Sequence, residues 1–395
     1  MLRRGPTGRS ARHCWHRLRL GQGPVWRPVA LAVAASHGVR RAARRRQPER
    51  GVERVLVTGG TGYVGAHSVK ALVHAGHSVR LLVRDAAKAQ AVLGALGIER
   101  LDCVSGDMTD EASVLKALKG CHAVLHCAAV VSTDRRRATE MLRANPRGAE
   151  LVLGHAVRLG LDPVVHVSSV AALLTPGKTL LHAGMPPGTL SSGYARSKSA
   201  AERFARGLQE QGAPVVITYP GSVTGPAAGS VLGEATAGLA ANIKIGSLPS
   251  HDAAWSFLDA RDLGAIHAAL MQPGHGPRRY MCGGHYLRMP QLALVLQQLT
   301  GREFKVLPMS GATLRVLGRV VDSLTSVLPF ETVFTHEAMV CFTQMPPTDD
   351  SAIRRELNIR LRPVTRTLRE ALRAARHAGL LTDRQLGTLA SGRQR

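Results

Sequence analysis

Arg54-Val-Leu-Val-Thr-Gly-Gly-Thr-Gly-Tyr-Val-Gly65 is the stretch whose reading decides the fold. Val55-Leu-Val-Thr58 is apolar and β-branched without polar alternation, so it reads as a strand buried on both faces. It runs straight into glycines and then into an amphipathic segment, 66–75, that reads as a helix. The glycines have separate tasks. Gly59 and Gly60 turn the chain sharply out of the strand. Gly62 lets a pyrophosphate come close to the backbone, and Gly65 lets the helix pack tightly on the strand. The free N–H groups and positive dipole end of the helix then face the phosphates. With a strand before it and a helix after it, the glycine pattern has the context that dinucleotide binding requires.

Downstream, strand and helix alternate. Strands are expected at 79–83, 101–104, 123–126, 164–167 and 215–218, with helices at 86–96, 110–118, 135–159 and 197–210. That alternation predicts an α/β fold, a Rossmann-type doubly wound parallel sheet with a smaller C-terminal substrate lobe. The expected boundaries are a basic extension at 1–51 and a nucleotide-binding domain at 52–225, with later segments (about 250–285) returning to it. Residues 226–395 mainly form the substrate lobe and C-terminal helices, among them 291–300 and 363–378. The amphipathic stretch 314–330 reads as core packing ahead of a membrane-surface or subunit contact.

The formal net charge of +25 is unevenly placed, since residues 1–50 hold thirteen Arg and a single acid, Glu49. Elsewhere no basic run exceeds Arg135-Arg-Arg137, and five Tyr and six Phe offer few stacking platforms, so the charge gives no case for a nucleic-acid partner. No run of eighteen apolar residues exists to span a bilayer. The six Cys show no Cys-x-x-Cys pair and the seventeen His no His-Glu-x-x-His, so reduced cytoplasmic thiols are expected and no metal site. Residues 1–50 resemble a mitochondrial-type presequence in composition, and 29–35 is a short apolar core of secretory type. A disordered extension ahead of a start near Val52 is the favoured reading.

Tyr194 and Lys198 form Tyr-x-x-x-Lys, which puts both side chains on one face of a helix. Ser168 and Ser169 end the fifth strand, at the carboxyl edge where open α/β sheets place ligands. A phenol ordinarily ionises near pH 10, and a neighbouring ammonium together with an oxidised nicotinamide ring is expected to bring it into working range. Tyr194 would pass its proton to a carbonyl oxygen while Ser169 hydrogen-bonds and orients that oxygen. The bland readings are a capped strand end for Ser169 and a surface helix turn for the pair.

The motifs Thr58-Gly-Gly-Thr-Gly-Tyr-Val-Gly65, Gly106-Asp-Met-Thr-Asp110, His126-Cys-Ala-Ala129, Ser168-Ser169, Tyr194-Ala-Arg-Ser-Lys198 and Tyr219-Pro-Gly-Ser-Val-Thr-Gly-Pro226 occur in that order. Together they resemble an extended short-chain dehydrogenase/reductase of the NAD-dependent epimerase/dehydratase superfamily, in particular its dihydroflavonol-reductase-like members. The similarity runs from about Val52 to Gly379. It includes Trp255-Ser-Phe-Leu-Asp-Ala-Arg-Asp262, which resembles the segment that returns to the active site, and a C-terminal helix signature at 350–368. The resemblance implies catalytic roles for Ser169, Tyr194 and Lys198, and a proton-relay role for Asn145, here followed by Pro146. It implies that Gly59, Gly62, Tyr63, Val64 and Gly65 hold the cofactor together with Tyr194 and Lys198. Asp107 and Met108 would meet the adenine, Ala128 and Ala129 the nicotinamide ribose side, and Pro220 and Val223 the nicotinamide.

Cofactor choice is read at the end of the second strand, where Arg84 arrives first and Lys88 follows one turn on. Facing a 2′-phosphate, they favour NADP over NAD, while Asp85 is placed to turn in for NAD. The loop between Ser169 and Tyr194 carries one charged residue, Lys178, and is expected to touch an apolar substrate. The leading expectation is an NAD(P)-dependent reductase or dehydrogenase acting on a ketone/alcohol pair, with a homodimer left open. A nucleotide-sugar epimerase or dehydratase, a 3β-hydroxysteroid dehydrogenase/isomerase and a non-catalytic NAD(P)-sensing regulator are the alternatives.

Overall fold

Val55, Leu56 and Val57 are fully buried, as a strand covered on both faces demands. In the computed structural model, which describes residues 54–132, 135–327 and 335–391, they belong to β1 (Arg54–Thr58). The chain continues through α1 (Tyr63–His74), β2 (Ser78–Val83), α2 (Ala86–Gly94), β3 (Asp102–Ser105), α3 (Glu111–Leu118) and β4 (Ala123–His126). Then follow α4 (Ala138–Arg158), β5 (Val164–Val167), α5 (Gly193–Glu210) and β6 (Val215–Pro220). The remaining elements are β7 (Val223–Thr224), α6 (Glu234–Ile245), β8 (Ser247–Leu248), β9 (Ala254–Asp259), α7 (Ala260–Ala269), β10 (Arg278–Cys282), β11 (His285–Arg288) and α8 (Met289–Thr300). After them come β12 (Lys305–Val306), α9 (Gly311–Val327), α10 (His336–Gln344), α11 (Ser351–Leu357), α12 (Val364–His377) and α13 (Asp383–Leu386).

The main sheet has seven strands in the order β10-β6-β5-β4-β1-β2-β3. Every neighbouring pair is parallel. The order reverses between β1 and β4, which opens a crevice above their carboxyl ends. One apolar cluster lies on each face of the sheet. Leu151, Val152 and Ala205 pack on one side, and Val69, Leu72 and Ile266 on the other. The doubly wound expectation is met. The seventh strand, β10, is absent from the six read in the sequence, because Arg278 and Arg279 at its start disguise the buried Tyr280-Met281-Cys282.

A third apolar cluster joins α6, β9, α8 and α12 through Leu239, Phe257, Leu292 and Leu372. It is pinned to the sheet side by charge. Burial pushes the Asp259 carboxyl up, but hydrogen bonds from Arg261 and Thr367 outweigh it and hold the group below the usual carboxylate range. On α9, Leu314 is buried while Val316, Leu317, Val320 and Leu324 face solvent. Core packing therefore accounts for only one side of this helix, contrary to the sequence reading. The expected extension at 1–51, the start near Val52 and residues 328–330 of that amphipathic stretch lie outside the described residues. Among the described residues, no helix is long and apolar enough to cross a membrane. Cys103, Cys121, Cys127 and Cys282 are free thiols.

Candidate active site

The turn after β1 is built as tightly as its glycines suggest. Gly59 has φ +73°, and a Cβ there would lie 2.6 Å from the Ala128 nitrogen. No other residue type tolerates both demands. A Cβ on Gly65 would lie 2.1 Å from the Gly59 carbonyl oxygen, so the helix's first turn closes on the glycine turn itself and not, as expected, on the strand. Among the described residues the only neighbour of a Cβ added at Gly62 is that same oxygen, at 3.3 Å. Gly62 is the N-cap, so α1 begins at Tyr63 rather than 66, with no side-chain cap and no acid in its first turn. Uncapped N–H groups facing an open cleft suit a pyrophosphate. The Tyr63 side chain turns away and donates to the Pro226 carbonyl at 3.0 Å, leaving its backbone to face the turn.

Above this turn lies a cleft of about 1460 Å³ that runs the length of the switch point. Its lining brings together Gly59, Gly62, Tyr63, Val64, Gly65, Arg84, Asp107, Met108, Ala128, Ala129, Ser169, Tyr194, Lys198, Pro220 and Val223. Asn145, expected with them, lies behind the wall. Its Oδ1 accepts from the Val130 N–H at 2.7 Å, and its Nδ2 donates to the Val130 carbonyl at 2.9 Å and to Ser197 Oγ at 3.0 Å. The amide thus clamps the loop after β4 onto α5. Pro146 does not interrupt α4, which runs unbroken from Ala138 to Arg158.

The expected helix start at 197 is corrected to Gly193. Ser192 accepts the Ala195 N–H at 3.0 Å, so α5 is capped early and Tyr194 sits in its first turn. Ser169 is itself a cap, accepting the Ala171 N–H at 3.2 Å. Its hydroxyl faces the same cleft as the Tyr194 phenol and favours the ionised form of that phenol. The bland reading of Ser169 as a cap holds, and the same residue lines the cleft beside Tyr194. Burial pushes the phenol up to about 12, opposed by the Ser169 hydroxyl and reinforced by the Glu234 charge. The expected lowering of this phenol by its lysine is absent in the protein alone, because desolvation dominates. Lys198 donates to the Val167 carbonyl at 3.1 Å. Burial pushes its ammonium down to about 8, against the opposing pull of Cys127, Glu202 and Glu234. Beneath the floor, His126 and His166 stack with ring centroids 5.6 Å apart, and Thr58 Oγ1 meets His126 Nδ1 at 2.7 Å. Burial holds His126 down at about 3 and His166 well below the ordinary imidazole range.

The loop expected to touch substrate reaches the cleft only at its ends. Val170, Ala171, Ser191 and Ser192 line the cleft, while Leu173, Leu174, Leu181 and Met185 enter the core and Lys178 faces solvent. Apolar runs inside that loop were its unread signal. The opposite wall comes from later segments: Trp255 stands 6.0 Å from Phe342, ring to ring, with Cys341, Met345 and Glu234 beside the cleft. Trp255 Nε1 donates to Ser222 Oγ at 2.9 Å, which fixes the indole against the Pro220–Val223 turn. Nothing local in the sequence marks Phe342, Met345 or Glu234, since they reach the site by packing alone. At the other end, Arg84 is exposed with its guanidinium 4.0 Å from Asp107, and Lys88 lies alongside. Asp85 does not turn in. Its carboxylate accepts the Lys88 N–H at 2.9 Å as the N-cap of α2.

A parallel sheet with a glycine turn at its switch point, and a Ser, Tyr and Lys meeting above it, defines a Rossmann-type enzyme that works with a nicotinamide dinucleotide. The chain matches the NAD dependent epimerase/dehydratase family over residues 55–283 and belongs to that family, an NAD(P)-dependent oxidoreductase of the extended short-chain type. It is 31% identical to sterol demethylase protein B of Methylococcus capsulatus over 250 residues, 62% of this chain and 74% of that one. It is 28% identical to a putative dihydroflavonol 4-reductase of Synechocystis over 254 residues, 62% of this chain and 72% of that one. Among solved structures it resembles the terminal R domain of the myxalamid PKS-NRPS pathway, with a TM-score of 0.69 and 21% identity over 85% of this chain and 94% of that one. It also resembles Bordetella bronchiseptica WbmG, solved with NAD and UDP, with a TM-score of 0.63 and 20% identity over 86% of this chain and 98% of that one. At these identities the structural likeness concerns the fold alone.

Proposed function

We propose that this enzyme reduces the ketone of a largely apolar substrate, with Tyr194 as proton donor and NADPH as the preferred cofactor. The observation that carries the reading is the meeting of Ser169, Tyr194 and Lys198 in one cleft above Gly62. The cofactor, when bound, supplies the hydride. Tyr194, protonated throughout the neutral range with its pKa near 12, gives its proton to the carbonyl oxygen. Ser169 donates its hydroxyl hydrogen to the same oxygen and fixes the carbonyl's orientation. Lys198, charged below about pH 8, offsets negative charge on the phenol oxygen after the transfer. Asn145 acts one step back, as a positioning residue that holds Val130 and Ser197 in place.

The NADP preference rests on Arg84 and Lys88 at the cleft rim and on Asp85, which caps α2 and does not line the cleft. An apolar substrate suits the wall of Trp255, Phe342 and Met345. The putative dihydroflavonol 4-reductase among the relatives fits the same reading. The test is to titrate NADPH and NADH into the full chain, then to follow cofactor oxidation with aryl and alicyclic ketones and, in parallel, with nucleotide-linked ketosugars. Tighter NADPH binding and turnover of the free ketones are expected. Turnover confined to nucleotide-linked sugars would overturn the proposal in favour of the epimerase/dehydratase alternative.

A further inference from the structure

Residues 304–324 gather apolar surface that the fold leaves uncovered. Leu307, Val316, Leu317, Val320 and Leu324 are five of the twelve large apolar side chains exposed among the described residues. They fall within eighteen consecutive positions, so the exposure is concentrated, unlike the single apolar residues every surface carries. The two sides of α9 are cleanly divided. On the inner side Leu314 is buried and the Gly311 N–H donates to Asp252 Oδ1 at 2.9 Å. The Arg315 guanidinium donates to Thr343 Oγ1 at 2.8 Å, and the Arg315 carbonyl accepts from His336 Nδ1 at 2.9 Å. A Cβ on Gly318 would lie 2.7 Å from the His336 Cα, so α10 closes directly on this side. Val316, Leu317, Val320 and Leu324 recur at helical spacing on the other side and stay 40–56% exposed. Charge is one-sided as well. Residues 304–321 hold Lys305, Arg315 and Arg319 without an acid, and Lys305 and Arg319 are exposed. The flanking acids, Glu303 and Asp322, lie outside this run, and Asp322 lines the cleft.

We propose that the outer side of α9, together with Leu307, docks on an anionic lipid surface. The apolar side chains enter the boundary between headgroups and acyl chains, while Lys305 and Arg319 meet the lipid phosphates. The helix lies in the plane of the surface and does not cross it. A second copy of this chain is a poorer occupant. Seventeen residues make a helix about 26 Å long and about 10 Å across. One such face against its copy falls short of the roughly 800 Å² per partner of a stable interface. A two-fold axis would also set the same cations against one another, whereas anionic lipid complements them. Phe342 and Cys341 of α10 line the cleft, so the bilayer rests against the helix pair that walls it. Docking does not depend on the ketone-reductase reading, under which this surface also collects apolar substrate from lipid.

The experiment uses the full chain and vesicles of phosphatidylcholine and phosphatidylglycerol in equal parts, with phosphatidylcholine alone as the comparison. The wild type should co-sediment with the mixed vesicles roughly tenfold or more tightly than with the neutral ones. Leu317→Ser combined with Val320→Ser should weaken that binding roughly tenfold, and Arg319→Glu by about as much. The Arg-rich stretch 1–50 can bind anionic lipid by charge alone, so insertion of α9 is read separately. Leu317→Trp adds a fluorophore to the three Trp of the wild type, and brominated phosphatidylcholine in the vesicles should quench the added emission. Binding unchanged in the double-serine variant, or added emission that brominated lipid leaves alone, overturns the proposal. A wild-type dimer in light scattering that the double-serine variant loses, without vesicle binding by either, overturns it in favour of a second copy. A chain that docks and inserts but reduces no ketone leaves docking standing and overturns only the reductase reading.

Discussion

The Ser169 hydroxyl has one hydrogen and two lone pairs, and one pair is already taken by the Ala171 N–H. Ser169→Ala therefore removes both a substrate donor and a cap. It is expected to lower kcat/KM roughly 10²-fold, mostly in kcat, and to cost about 1 kcal/mol of stability, measured by steady-state kinetics and urea unfolding. Normal kcat with reduced stability would leave only the cap. At the rim, Arg84→Asp exchanges a phosphate partner for a ribose partner. One charge-assisted contact is worth about 1.5–3 kcal/mol, so the NADPH-to-NADH ratio of kcat/KM should fall roughly tenfold to a hundredfold. An unchanged ratio would place Arg84 outside the cofactor site. Ser169, Tyr194, Lys198 and Arg84 were legible because strand ends and helical spacing locate them without tertiary knowledge. Asp85 was half legible: a helix starting at Ala86 makes the residue before it a cap, which occupies the carboxylate. Glu234, Phe342 and Met345 were not legible, because distant segments deliver them and no local pattern records that.

Within the β1–α1 element, two glycines separate folding from binding. Gly65→Ala would force a Cβ against the Gly59 carbonyl oxygen, a backbone neighbour that cannot rotate away. Its expected cost is roughly 1–3 kcal/mol, read from denaturant midpoints at constant m. Gly62→Ala meets only a 3.3 Å neighbour and should fold normally, yet its methyl group fills the approach to the uncapped helix end. There NADPH binding should weaken roughly tenfold or more, about 1.4 kcal/mol, by titration. Equal binding in Gly62→Ala would remove the pyrophosphate from this turn. The strand–turn–helix was legible because Val55-Leu-Val-Thr58 and the glycines leave few alternatives. The starts of α1 and α5 were misjudged for one reason: caps, here Gly62 and Ser192, set a helix start ahead of its first apolar residues. The far side of α9 was misread because periodicity reports an amphipathic helix without saying which side the fold covers.

At the scale of the whole molecule, His126 and His166 in the sheet and His267 on α7 carry buried imidazoles. His126 and His267 are held down at about 3, and His166 well below its ordinary value, all by burial first. In the unfolded chain each takes up a proton near pH 6.5, whereas the native protein does not until far lower. The unfolded state therefore binds more protons below about 6.5, so stability is intact above that pH and falls as pH drops through it. Each such proton is worth about 1.4 kcal/mol per pH unit. Asp262, Asp350 and Glu234, raised by burial, act in the opposite sense, so the contribution of an imidazole is read from the difference between wild type and variant across the window from about 6.5 to 5.5. Unfolding free energy measured across that window should fall with pH, and His166→Leu should flatten the slope by about one proton. A slope the same in that variant would mean His166 is charged in the native protein. The doubly wound sheet was legible at this scale, while the stacked His126 and His166 were not. The two appear as isolated residues in sequence and become neighbours only through the β4–β5 register. The central claim, a phenol that protonates a carbonyl beside a bound nicotinamide dinucleotide, is tested most directly by single-turnover reduction of a ketone with NADPH by the wild type and by Tyr194→Phe. The variant should bind NADPH as the wild type does and reduce the ketone roughly 10²–10⁴-fold more slowly; reduction at the wild-type rate would contradict the account.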